Sequence, residues 1–263
     1  MLMTPRFDVR GIISEHYGGV NNAGTERKSF EEIEKVLGLM GLTGEVRVLH
    51  GADAGLEDEN TPVESEGAHF IIEEAIKDDP RPLFVCCTGA ITNAASALLM
   101  EPGIAGKITL IWIGGDAYPR GGGEYNLLGD IHGASAVFQS DVELWQVPKP
   151  VYITMKAGFF ELLNHVYPCG GLGRYLVENT MRVAEEHARL MEDTSTVLGG
   201  RYLTMSRGAA ATSFAGELWC LGDSPVVGLM LNHTLGHFHM EDAPCRVKKD
   251  GEYDFSGTSS RQI

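Results

Sequence analysis

Two short apolar runs constrain this chain most: Leu83-Phe84-Val85-Cys86-Cys87 and Ile108-Thr109-Leu110-Ile111-Trp112-Ile113. Each is too short for a buried helix and lacks the polar alternation of a half-exposed strand. They read as strands covered on both faces, which is the habit of parallel sheets. The segments around them fit that reading. Phe7–Ser14 and Val46–Leu49 are further β-rich runs. Ser29–Met40 carries apolar residues at Phe30, Ile33, Val36, Leu37 and Met40, which is helical spacing, with Ser29 as the expected N-cap. Ala68–Ile76 and Thr92–Met100 are expected helices; Val142–Val147 and Val151–Met155 are expected strands. The βαβα order predicts an α/β fold, a mostly parallel Rossmann-like sheet flanked by helices. From Ala157 onward the chain reads as mainly helical, with Leu172–Met191 a long helix and Pro225–Leu231 another. Glu241–Ile263 turns polar and irregular, and the 263 residues are expected to form a single domain.

Charge narrows the partners. Lys plus Arg total 21 against 36 Asp plus Glu, a formal net charge of −15. Such a chain repels a polyanion, so nucleic acid is not expected as a partner, whereas a small molecule or a hard cation is compatible. The five cysteines include an adjacent pair, Cys86-Cys87, and no C-x-x-C, which points to reduced thiols and a cytoplasmic location. No apolar run reaches the length of a membrane span, and no signal peptide is expected at Met1–Arg6.

In a parallel α/β sheet, ligands bind beyond the carboxyl ends of the strands. The segments that follow strands are therefore the candidate site. Thr88-Gly89-Ala90-Ile91-Thr92-Asn93 runs from a strand into a helix, with Gly89 at the turn and Thr92 or Asn93 as the cap. It lacks the lysine of a phosphate-binding P-loop. Gly114-Gly115-Asp116 and Gly121–Asn126 are glycine-rich, which permits close backbone approach to a ligand. Glu124 and Asn126 are two apart, so an extended backbone aims both to one side. A carboxylate and a carboxamide together suit vicinal sugar hydroxyls. Asp130 reads as a helix cap, and Asp223 or Ser224 as the cap of the Pro225 helix. Glu15 and His16 follow the first strand, and His16 is a candidate acid for a leaving base. His233, His237 and His239 have zinc-like spacing without the carboxylate pattern of a zinc motif, so no zinc site is expected.

Taken together, these stretches resemble the inosine–uridine-preferring nucleoside hydrolase family and its nucleoside hydrolase-like relatives. FDVRGI (Phe7–Ile12) resembles the family's I-D-V-x-G-I. TGAITNAA (Thr88–Ala95) resembles T-G-P-L-T-N-I-A. IGGDA (Ile113–Ala117) with EYNLLGD (Glu124–Asp130) resembles M-G-G…E-F-N-x-x-x-D, and GDSPVVGLML (Gly222–Leu231) resembles H-D-P-L-A-V-A. The matches keep the family's order across about residues 5–232.

The resemblance implies hydrolysis of the N-glycosidic bond of a ribonucleoside through an oxocarbenium-like transition state. It implies a Ca²⁺ that holds the ribose and orients the attacking water. By position, the Thr88 carbonyl and the Asp223 carboxylate are its ligands, and Glu124 and Asn126 hold the ribose. Two departures stand out. The family's opening strand with D-x-D-x-x-x-D-D, which carries the general base, belongs before Phe7, and only six residues precede it. Its absence should leave a gap in the sheet. The chain is expected to be truncated there, and Arg261-Gln262-Ile263 reads like the start of a further strand. The histidine of the family's His-Asp pair is replaced by Gly222. Weak calcium binding and impaired hydrolysis are expected. The alternatives are a catalytically silent riboside-binding module and a nucleotide-binding enzyme with an anion at the start of the Thr92 helix. The incomplete sheet leaves room for partner-chain contacts between copies in a homo-oligomer.

Overall fold

Parallel pairing is what the apolar runs are used for. The computed structural model describes residues 1–18, 23–197, 218–232, 238–257 and 261–263, with the backbone alone for 186–197 and 232. β1 (Ile12–Ile13) crosses over through α1 (Thr25–Met40) to lie parallel to β2 (Val48–Leu49). After α2 (Glu66–Ala75) comes a second parallel ladder. In it β3 (Leu83–Cys87), β4 (Ile108–Ile113) and β5 (Glu143–Val147) stand in that spatial order. α3 (Thr92–Met100) joins β3 to β4, and α4 (Tyr125–Gly129) with α5 (Ile131–Gln139) joins β4 to β5. Among the described residues, no strand pairing joins the two ladders.

The two apolar strands have different fates. β4 is paired on both sides, and Leu110, Ile111 and Trp112 are fully buried. β3 pairs with β4 on one side, and all five of its residues are half-buried. Burial on both faces therefore holds for β4 and is corrected for β3. The core forms between the sheet and small-residue helix faces. Ala94, Ala95 and Ala97 let α3 approach α2 and α5, and Trp112 meets Phe138 of α5 edge to face with ring centroids 6.2 Å apart. Each fully buried aromatic or branched side chain contributes about 1.5–3 kcal/mol.

Several boundaries differ from the sequence reading, each for a local reason. α1 starts at Thr25, not Ser29, because Gly24 turns the chain in a left-handed conformation and Glu26 anchors the first turn. The Ser29 hydroxyl instead donates to the Glu15 carbonyl at 2.8 Å. α3 is capped by Ile91, not by Thr92 or Asn93, whose side chains turn to other elements. Phe7–Ser14 contributes only a two-residue strand. Val151–Met155 is not a strand: α6 (Lys149–Tyr152) follows Pro148, and β6 (Lys156–Gly158) begins after it. The polar segment after Glu241 is ordered where described. β8 (Arg246–Val247) and β9 (Tyr253–Asp254) form an antiparallel pair that buries Val247 and Tyr253 in the core beside α5.

The chain divides into two compact units, 1–150 with 225–263, and 151–224. The smaller one pairs β6 antiparallel to β7 (Leu218–Cys220) and carries α7 (Phe159–Glu161) and α8 (Gly170–Val197). α9 (Ser224–Asn232) begins at the boundary. No helix of the described residues is long and apolar enough to cross a membrane.

Gly51, two residues after β2, is held by close packing. A Cβ there would lie 2.0 Å from the Ser14 carbonyl oxygen and 2.5 Å from Asn93 Nδ2. Neither can give way without moving β1 or α3. Gly51→Ala should destabilise the fold by about 1–3 kcal/mol in urea unfolding, and a neutral result would show that this approach is looser than described.

Candidate active site

The carboxyl ends of β1, β2 and β3 are gathered by one side chain, Asn93, in the first turn of α3. Its Oδ1 accepts from the Ala52 backbone N–H at 3.0 Å and from the Ser65 hydroxyl at 2.7 Å. Its Nδ2 donates to Glu15 Oε2 at 2.7 Å. Ser65 is also the N-cap of α2. Thr92, one residue earlier, takes the other direction. Its hydroxyl donates to Asp130 Oδ2 at 2.6 Å and lies 2.8 Å from His16 Nε2. A hydroxyl has one proton, so Thr92 accepts from His16, which fixes the imidazole with its proton on Nε2. Asp130 caps α5, accepting from the Gly133 N–H at 2.7 Å, and also accepts from the Leu56 N–H.

His16 is fully buried, and burial holds its pKa below the ordinary value against the opposing pull of Asp130 and Asp53. It is neutral at pH 7, and its Nε2 proton is committed to Thr92. This geometry makes it a link between β1 and α3 and leaves it unsuited to the acid role expected from its position.

Glu15 behaves differently from its neighbour. Its Oε2 is gripped by Asn93, but Oε1 is buried with no hydrogen-bond partner among the described residues. Burial pushes its pKa up to about 8, outweighing the Asn93 amide and the nearby backbone N–H groups of Asn93 and His16. The side chain packs beside Gly89, where a Cβ would come 3.5 Å from Glu15 Cγ. It therefore stands at the turn after β3.

A second cluster closes the β1–β2 side. Glu26 accepts from the Ser14 hydroxyl in a short bond, from His50 Nδ1 at 2.9 Å and from the Gly51 N–H at 3.3 Å. Burial alone would raise its pKa, but these donors hold it below the ordinary value. The His50 ring stacks on Phe30 with centroids 3.9 Å apart. His50 belongs to a segment, His50-Gly51-Ala52-Asp53, that follows a strand and is marked on that ground by the sequence, whereas Ser14 and Glu26 are not, although an acidic residue early in a helix facing a histidine after a strand is a usable signal.

The expected ribose-holding pair is placed but differently arranged. Glu124 is extended and caps α4, while Asn126 lies inside the helix, so an extended backbone does not align them. Glu124 is almost fully buried, and its Oε2 accepts from the N–H groups of Gly115 and Leu127, each at 2.9 Å. Asn126 Nδ2 donates to the Ile113 carbonyl at 2.8 Å and reaches the Thr88 carbonyl at 3.5 Å. The loop glycines serve packing rather than a ligand. A Cβ on Gly114 would lie 2.2 Å from the Trp112 ring, and one on Gly115 would lie 2.2 Å from both Gln146 and Tyr253. Tyr125 is exposed, and its phenol pKa is raised by partial burial and by the nearby Tyr17.

Thr88 belongs to the larger unit and Asp223, exposed directly before α9, to the smaller. No group of three or more His, Cys, Asp or Glu side chains among the described residues converges enough to hold a metal. Calcium takes six to eight oxygens, several of them carboxylate. The donor set present does not fit that demand. His233 and His237 of the zinc-like spacing lie outside the described residues.

Glu15 makes the fold pH-sensitive. Its folded pKa near 8 lies above the ordinary 4.5, so its protonated form stabilises the fold. That contribution is complete below the unfolded pKa and is lost as pH rises through about 8. The urea midpoint should therefore fall between pH 5 and pH 9, and Glu15→Gln, which cannot ionise, should fall less. Parallel curves for the two proteins would refute the burial argument.

Comparison with known proteins bears on this arrangement. No curated protein matches the sequence. Solved structures share the fold at low identity. A plant nucleoside hydrolase is 17% identical with a TM-score of 0.65, over 95% of this chain and 78% of that one. A purine-preferring ribonucleoside hydrolase from Gardnerella vaginalis is 18% identical with a TM-score of 0.66, over 94% and 78%. An inosine-guanosine nucleoside hydrolase is 15% identical with a TM-score of 0.61, over 98% and 81%. The sequence profile of the inosine-uridine preferring nucleoside hydrolases matches residues 1–261, which takes in every strand end described above. With fold and profile agreeing over nearly its whole length, the chain belongs to the inosine-uridine preferring nucleoside hydrolase family.

Proposed function

We propose that this chain binds an unphosphorylated ribonucleoside at the carboxyl ends of β1, β3 and β4 and hydrolyses its N-glycosidic bond. The observation that carries this reading is the approach of Glu15 to Gly89 and of Asn126 to the adjacent Thr88 carbonyl, with Tyr125 near Tyr17. Carboxyl, carboxamide and phenol groups suit a neutral polyhydroxyl ligand with a flat base. A phosphate at the start of α3 would face the Asp130 carboxylate to which Thr92 donates, which speaks against the nucleotide reading.

The same geometry supports slow chemistry. Glu124 already has two backbone donors, and the calcium donor set implied at Thr88 and Asp223 is incomplete among the described residues. The transition state gains positive charge at the sugar, and the excess of carboxylates around the site favours it electrostatically. A catalytically silent riboside binder is the second reading. It is favoured by the same incomplete donor set, since sugar contacts can survive without a metal-oriented water.

Isothermal titration with ribose, inosine and uridine, with and without Ca²⁺, should give binding that calcium changes less than threefold. Asn126→Ala should weaken it about tenfold, as expected for a lost hydrogen-bonding side chain near 1.4 kcal/mol. Chromatographic detection of slow base release supports the hydrolase, and binding without release supports the silent module. No binding of any riboside would remove both.

A further inference from the structure

We propose that Glu15 is the catalytic proton donor of this site: its unpartnered oxygen Oε1 protonates the departing base of a bound riboside while Asn93 holds Oε2. This inference rests on the riboside reading above. The geometry carries it. Glu15 lies two residues after β1, packs against Gly89 at the turn after β3, and has one oxygen fixed at 2.7 Å by Asn93. The other oxygen is buried without a hydrogen-bond partner among the described residues, with His16 Nε2 3.7 Å away. A buried polar atom left unmade costs about 1–3 kcal/mol, so a fold keeps one where something else uses it. The side chain as a whole is 21% exposed, so the carboxyl sits close under the surface.

Its protonation state agrees. With burial pushing its pKa up to about 8, the carboxyl retains its proton at neutral pH and is poised to give it. Beside it, His16 is neutral, with its Nε2 proton bound to Thr92. In the step itself, the C1′–N bond breaks and its electron pair leaves with the base nitrogen. The base takes the Glu15 proton. Water adds its oxygen to C1′, and the proton it sheds restores the Glu15 carboxyl. The balance is riboside plus water giving ribose plus free base.

The test compares leaving groups. Inosine and uridine leave with difficulty unless protonated, whereas 4-nitrophenyl β-D-riboside releases a stable phenolate without an acid. Glu15→Gln keeps the size and the Asn93 hydrogen bond. It should lower kcat on the nucleosides at least 100-fold and on the nitrophenyl riboside less than fivefold. Glu15→Asp, shorter by one methylene, should fall between wild type and Gln on the nucleosides and serves if the first variant does not fold. Equal losses on both substrate types, or no loss on the nucleosides, would overturn the assignment while the riboside reading stands. A wild-type protein that hydrolyses neither substrate overturns the hydrolase reading, and this assignment with it.

Discussion

The carboxamide of Asn93 is the interaction on which the site depends. Strand pairing joins β1 to β2 and β3 to β4 and β5, but among the described residues it does not join one ladder to the other. Something else must bring their ends together, and Asn93 does so from the start of α3. It reaches the loop after β2 through Ala52, the cap of α2 through Ser65, and the end of β1 through Glu15. An amide suits this place because it presents donors and an acceptor from one rigid plane, whereas a carboxylate could only accept. The β1–β2 ladder, α2 and α3 are thereby tied to one another.

Much of this was legible in the sequence because it is local. Apolar runs and helical spacing specify β3, α3 and β4 to their boundaries, since burial of a continuous run needs no information from elsewhere. Asp130 reads correctly as a cap because capping is decided within four residues. What sequence reading misses is side chains that serve distant partners. Thr92 and Asn93 look like caps, yet their partners are residues 16, 130, 52, 65 and 15, which become neighbours only in the folded chain. Glu124 and Asn126 were legible as a functional pair but not in their geometry, because α4 begins between them.

The glycine-rich stretches teach a related lesson. Gly114 and Gly115 suggest room for a ligand, but the space a side chain would need is taken by Trp112, Gln146 and Tyr253 of the same fold. Glycine after a strand states that something approaches closely, and it does not state what. Tyr253, from a segment that reads as irregular, is part of the answer, since β8 and β9 return to the core across α5.

The net charge of −15 becomes more informative once the carboxyls are sorted by surroundings. Asp8, Glu74 and Asp79 sit near the surface in ion pairs with arginine or lysine, where solvent screens most of their effect. Glu26, Glu124 and Asp130 are buried, and each accepts at least two hydrogen bonds, so each carboxylate is a structural clamp. Glu15 belongs to neither group. It lacks a cationic partner to offset burial, and one oxygen is left with no hydrogen-bond partner among the described residues. A clamp needs its buried oxygens satisfied, and a surface charge needs water. A carboxyl that has neither destabilises the fold it sits in, and it lies at the strand ends where an α/β sheet binds its ligand. That combination separates Glu15 from the clamping and the surface carboxyls, and it is the physical ground for the proposed catalytic role.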